Sequence, residues 1–254
     1  MKFLIQKINK EVRHDFAFTL LESIRFDKWL HGKDSTMKYQ FLNTIEVVEP
    51  SDIYPPFEFT HRHYYAKCVP IGSVDFVTEY LVHMYGLFPK PINVPEELFH
   101  YAGREIFNGN DQSFENSIGK FFFKSNDRIK GYSGYYDTGI PTKIPAGNYQ
   151  ISEFVHDINS EWRAFIYEGK LVGLQNYGGD FAKWPNTDII KGMIGNYKSA
   201  PIAYTLDIGI SDDRGTFVIE CHDFFSVGLY GFADLKLLPH MFYKWFWEYI
   251  KKSK

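Results

Sequence analysis

The sequence predicts an α+β fold, on three observations. The first stretch, residues 1–95, alternates short apolar runs with amphipathic helical patterns. The last hundred or so residues read instead as strands with period-two alternation, joined by turns and closed by one aromatic helix. Apolar residues make up 44% of the 254-residue chain and aromatic ones 19%, enough to bury a sizeable core and too many for a disordered chain.

Taken in order, "KFLIQKI" predicts an opening strand. "DFAFTLLESIRFDKWL" (15–30) predicts a helix with Phe16, Leu20, Leu21, Ile24 and Trp29 near one face. "FLNTIEVVEP" (41–50) predicts another strand, stopped by Pro50. In "CVPIGSVDFVTEYLVHMYG" a short strand ends at Gly72-Ser73, Ser73 caps a helix, and Gly86 stops it. Three prolines in "FPKPINVP" (88–95) mark a boundary, giving domains 1–95, 96–150 and 151–254. "PEELFHYAGREIF" reads as a short helix, "KFFFK" (120–124) as a strand, and 125–134 as a loop rich in Gly, Ser, Asp and Tyr. "WRAFIYEGKLVG" is a hairpin about Glu168-Gly169. "AYTLDIGIS" and "TFVIECHDF" form a second strand pair, and "ADLKLLPHMFYKWFWEYIKKSK" a helix docked on a sheet.

The charge balance, 28 basic against 31 acidic side chains, gives no electrostatic case for nucleic acid as a partner. No window is long and apolar enough for a spanning helix, so no membrane partner is expected, and Cys68 and Cys221 outside any C-x-x-C pattern suit a reducing, cytoplasmic setting. His61, His63, His83 and His100 lack H-E-x-x-H spacing, and no G-x-S-x-G or G-x-x-x-x-G-K-[ST] pattern occurs.

Three constellations carry chemistry. Lys124 ends an apolar strand and Lys130 follows in a glycine loop; they are either solvated surface lysines or cations set beside phosphates. Glu161 and Arg163 share one face of a strand, so Arg163 either joins a cross-strand salt bridge or grips a phosphate or carboxylate. Asp207 and Glu220 sit inside paired apolar strands, where ionised carboxylates need a cation between them. That cation is either a Lys or Arg of the chain or a magnesium ion, which prefers hard oxygen ligands.

The order of these pieces resembles the ATP-grasp superfamily, and within it the phage and bacterial clade named for one arginine and two lysines. "IGSVDFV", "KPINVPEEL", "SEWRAF", "LVGLQNYGGD" and "ECHDFFSVGLYGF" carry the likeness, over residues 68–232. The resemblance implies an ATP-grasp fold, two α+β subdomains gripping ATP, here preceded by a small α/β domain. It implies that Lys124 and Lys130 contact ATP phosphates under a covering loop 125–134. Glu153, with the backbone of Phe154 and Val155, would read adenine, and Asp157 would reach the ribose. Arg163 would sit by the γ-phosphate or the acyl-phosphate and, with Lys130, act in catalysis. Asp207 and Glu220 would bind Mg²⁺, the third ligand being His222, where the family usually has Asn, or else Asp223 or a water.

The activity implied is ligation of a carboxylate, small or on a peptide or protein, to an amine through an acyl-phosphate, with ATP and Mg²⁺ as cofactors. A regulatory ATP-binding module without ligase activity and an ATP-grasp phosphotransferase are the alternatives. "DIYPPFEFTHRHYY" (52–65) and "GGDFAKWPN" (178–186), rich in aromatic and basic residues, are expected to recognise an acidic or peptide-like substrate.

Overall fold

The structure is a computed structural model that describes residues 1–44, 67–114, 118–138, 140 and 143–253. The expected strand 41–50 beyond Thr44, the loop 52–65, His61 and His63 lie outside the described residues. The chain divides into two compact units, residues 1–88 with 224–254, and residues 89–223.

The first unit is an α/β layer. Strand β1 (Lys2–Ile8) lies between β2 (Lys38–Thr44) and β3 (Val69–Ile71), all parallel, with Phe3 opposite Val69 and Ile5 opposite Ile71. Helix α1 (Asp15–His31) buries Phe16, Leu20, Leu21 and Ile24 as expected, but Trp29 is 78% exposed. The expected inward position fails because Trp29 sits in the last turn, beyond the buried stripe.

Helix α2 (Val74–Tyr85) begins and ends where its caps dictate. Ser73 Oγ accepts the Phe76 N–H, and Gly86 takes the left-handed φ of 71° that closes the last turn. Residues 238–252 form helix α4 (Leu238–Lys252), which buries Leu238, Met241, Phe242, Trp245, Phe246 and Ile250. Its Phe242 ring meets Phe16 and its Phe246 ring meets Tyr80, so the aromatic stripe is a packing face.

The second unit holds two four-stranded antiparallel sheets. One has the order β4 (Ile106–Asn110), β7 (Asn148–Glu153), β5 (Lys120–Ser125), β6 (Ser133–Asp137). The other runs β11 (Gly215–Asp223), β10 (Ala203–Ser211), β8 (Ile158–Tyr167), β9 (Lys170–Gly179). The β8–β9 turn is Glu168-Gly169, both at positive φ (49° and 71°), the conformation a two-residue hairpin needs.

Trp162, Ala164, Ile166, Leu206, Ile208 and Val218 form this unit's core, with Ile190 and Met193 of helix α3 (Thr187–Asn196). Only a 3₁₀ turn, Glu96–Tyr101, forms where a short helix is expected; Gly103 at φ 62° precedes strand β4, which takes up "IFNGN". Part of the expected loop 125–134 is likewise strand, since β6 begins at Ser133 and pairs with β5. No described helix is long and apolar enough to cross a membrane.

Candidate functional site

Strand alternation sorts the apolar run of β5. Phe121 and Phe123 face a small core with Phe114, Tyr149 and Ile151. Phe122 and Lys124 therefore point to the other side, where Ser152 lies opposite Phe122 and Ser133 and Gln150 flank Lys124. These residues wall a pocket, closed by Arg104 and by Ile219 and Glu220 of β11. Lys124 Nζ donates to Glu220 Oε2.

The carboxylates expected to face one another do so. Asp207 is the direct partner of Glu220 across β10–β11, beside an irregularity in the register after Asp207. Across the other edge of β10, Asp207 is the direct partner of Arg163. Arg163 donates Nε to Oδ1 and Nη2 to Oδ2, each at 2.7 Å, and both residues are almost fully buried. This bidentate fork realises the cross-strand salt bridge among the alternatives for Arg163. Glu161, on the same face, accepts instead from the Tyr177 hydroxyl at 2.9 Å.

His222 completes the group. Its Nε2 lies 2.8 Å from Glu220 Oε1 and 3.4 Å from Asp207 Oδ2, an ion-pair contact rather than a well-directed hydrogen bond. Burial alone would lower the imidazole pKa, but the Glu220 and Asp207 carboxylates outweigh it and push it up to about 9. Burial would raise the Glu220 pKa; the charges of His222 and Lys124 hold it well below the usual carboxylate range instead. Asp207 is likewise held low, against its burial, by the Arg163 fork and by His222. The positive charge between the two strands is thus supplied within the chain, by Arg163, Lys124 and His222.

The same group has the donor set of a cation site. Asp207, Glu220 and His222 each offer a ligand atom, and these atoms lie within 4.8 Å of one another. The buried His222 Nε2 without a directed partner fits a ligand atom, and two carboxylates supply the hard oxygens magnesium prefers. Asp223 falls outside the group, because it alternates with His222 and so leaves the face that Glu220 shares with His222.

The remaining expected residues are placed elsewhere. Lys130 is exposed in the β5–β6 loop, at φ 53°. Glu153, Phe154, Val155 and Asp157 lie on and just after the end of β7 and are not among the residues lining the pocket. The Phe154 N–H is taken by the Lys120 carbonyl at 3.1 Å. Arg214, in the β10–β11 turn, was not singled out by any motif. It donates Nη2 to Glu153 at 2.8 Å and Nε to the Gly103 carbonyl, with Nη1 3.6 Å from Asp157. Ser211 Oγ also donates to Asp157, whose pKa is lowered chiefly by that bond. The segment after β7 is therefore tied to the β10–β11 turn. Arg104 too was not singled out, since nothing in "AGREIF" separates it from an exposed helical arginine.

Comparison with known proteins bears on this arrangement. Residues 123–238 match the family described as ATP-grasp domain, R2K clade family 2. No curated protein matches the sequence. The D-alanine–D-alanine ligase of Bacillus anthracis, in its crystal structure complexed with ATP, is similar over 100% of both chains at 10% identity, with a TM-score of 0.52. A second crystal structure of that enzyme is similar over 100% of both chains at 8% identity, with a TM-score of 0.50. Likeness at such identity is a likeness of fold. The segment 123–238, which matches the ATP-grasp domain of the R2K clade, includes Lys124, Arg163, Asp207, Glu220 and His222.

Proposed function

We propose that the protein binds ATP with magnesium in the pocket walled by Lys124 and Glu220 and uses it to join a carboxylate to an amine. The observation that carries this reading is the Asp207–Glu220–His222 group beside Lys124 and Arg163, within the segment that matches an ATP-grasp domain. Magnesium, when bound, would neutralise phosphate charge; Asp207, Glu220 and His222 would hold it, with His222 giving up its proton to serve as a ligand.

The chain's own groups position and neutralise. As the nucleotide enters, Lys124 exchanges Glu220 for phosphate oxygens, a swap of one anionic partner for another. Arg163 keeps Asp207 oriented and ionised and sets a second positive charge near the reacting phosphoryl group. Lys130, carried on the loop between β5 and β6, adds a third when that loop covers the phosphates and excludes water. Glu153, with the backbone of Phe154 and Val155, would read adenine beyond the pocket wall, the Phe154 N–H being taken by Lys120, and Asp157 would reach the ribose.

In the first step the substrate carboxylate attacks the γ-phosphorus. An acyl O–P bond forms, the bond to ADP breaks, and ADP leaves with the bridging oxygen. In the second, a neutral amine attacks the acyl carbon, phosphate leaves, and the amine nitrogen loses a proton to give the amide. No Cys or Ser nucleophile is needed, in keeping with buried Cys68 and Cys221.

A specific observation favours a second reading, a nucleotide-binding module without ligation. Both carboxylates already have cationic partners in the chain, Arg163 for Asp207 and Lys124 for Glu220. The deciding experiment supplies Mg-ATP with panels of carboxylates and amines, and follows ADP release and product mass together. A joined product formed in step with ADP supports ligation. Nucleotide binding with no turnover across the panel supports the module.

A further inference from the structure

Arg104 is a mostly buried cation with no carboxylate within salt-bridge distance among the described residues, Glu153 and Glu220 acting on it only from farther off. Among the described residues its hydrogen bonds go to backbone carbonyls: Nη1 donates to Ala102 at 3.0 Å and Val218 at 2.9 Å, and Nη2 to Ile219 at 3.0 Å. A guanidinium carries five N–H groups in a fixed plane. The bonds engage Nη1 twice and Nη2 once, and none of them uses Nε, which with Nη2 forms the edge by which Arg163 grips Asp207.

The residue also lines the pocket that holds Lys124 and Glu220. Its end-on edge is spent on the two carbonyls just before Glu220, which fixes the plane of the guanidinium. Burial, and behind it the Arg214 charge, push its pKa down to about 10 against the pull of the Glu153 and Glu220 carboxylates, so the charge persists at neutral pH without a direct ion pair. A desolvated, fixed, two-pronged donor beside a lysine matches an anion with two oxygens on one atom.

We propose that Arg104 is a nucleotide-binding residue whose Nε–Nη2 edge takes two oxygens of a phosphoryl group of ATP, while its Nη edge stays on the Val218 and Ile219 carbonyls. The proposal rests on the reading of the pocket as an ATP site. It adds a cation that lies outside the matched segment 123–238. Arg104 thereby couples occupation of the pocket to the backbone that carries Glu220.

The test compares adenosine, AMP, ADP and ATP, with magnesium, binding to the full chain and to Arg104→Lys and Arg104→Gln. The expected result is adenosine affinity kept within about twofold and ATP affinity lowered by about 10- to 100-fold, the range for a hydrogen-bonded ion contact. The first nucleotide in the series to show the loss names the phosphate held. A loss equal for adenosine and ATP, or none in a folded variant, overturns the proposal and leaves Arg104 a backbone anchor. Should both variants fail to fold, the Nε–H resonance of Arg104 in the unaltered protein decides. A downfield shift with ATP but not adenosine supports the contact, and no difference overturns it. Unaltered protein that binds none of the four overturns this inference together with the ATP reading, whereas ATP binding indifferent to Arg104 overturns this inference alone.

Discussion

Arg163 and Asp207 are direct cross-strand partners joined by two 2.7 Å hydrogen bonds in the interior of the β11-β10-β8-β9 sheet. Breaking such a pair strands a buried charge, which is costlier than the net worth of the pair. Arg163→Met should therefore lower unfolding free energy by about 3–5 kcal/mol in denaturant titration. The double variant Arg163→Met/Asp207→Leu should recover most of that loss, since neither charge remains buried. Equal stability of the single and double variants would show that Asp207 is not held ionised by Arg163.

The His222 imidazole gives the site a pH dependence of known sign. Its folded pKa, about 9, lies above the ordinary histidine value, so its contribution is full below about pH 6.5 and is lost as pH rises through 9. Asp207 and Glu220 titrate below their usual range, so their contribution is present above about pH 4 and is lost in acid. Melting temperature should fall on both sides of a neutral plateau. The gap between the unaltered protein and His222→Gln should close from pH 6.5 to 9; a gap constant over that interval contradicts the ion-pair role.

How much of this was legible in the sequence depends on the range of the contacts. The Glu168-Gly169 hairpin, the Ser73 and Gly86 caps and the facing of Asp207 and Glu220 follow from spacing within one or two adjacent elements. The pairing of Lys124 with Glu220 and the anchoring of Arg104 join residues far apart in the chain, so no local pattern could single out one partner. Strand β4 is hidden because "AGREIF" continues a helical pattern, and only the left-handed Gly103 breaks it. Helix α3 is weakly written, as Gly192 and Gly195 lower the propensity of its second half. Its start depends on Asn186, whose side chain accepts the Asp188 and Ile189 N–H groups.

Close packing around β10 constrains Gly209. A Cβ there would meet the Phe217 ring, its partner across the sheet, at 2.5–2.9 Å. Phe217 is buried, so the ring cannot swing into solvent. Gly209→Ala should cost about 1–3 kcal/mol, as overpacking does, and Phe217→Leu in the same chain should relieve part of it. A neutral Gly209→Ala would mean that β10 and β11 slide apart at no cost.

Arg214 should matter more for the segment after β7 than for global stability. Its pairs with Glu153 and Asp157 are partly exposed, so Arg214→Met is expected to change unfolding free energy by less than about 1 kcal/mol. Amide exchange across residues 153–157 should speed up, because the charged tie to the β10–β11 turn is gone. Unchanged exchange there would show that backbone bonds alone hold the segment.

The central claim is that Asp207, Glu220 and His222 bind a magnesium ion together with ATP. Calorimetric titration of ATP into the unaltered protein, Asp207→Asn and Glu220→Gln, each with magnesium and with chelator, tests it most directly. Binding that strengthens at least tenfold with magnesium in the unaltered protein, and loses that gain in both variants, is the predicted result. ATP affinity indifferent to magnesium, or a magnesium gain that survives both substitutions, would contradict it.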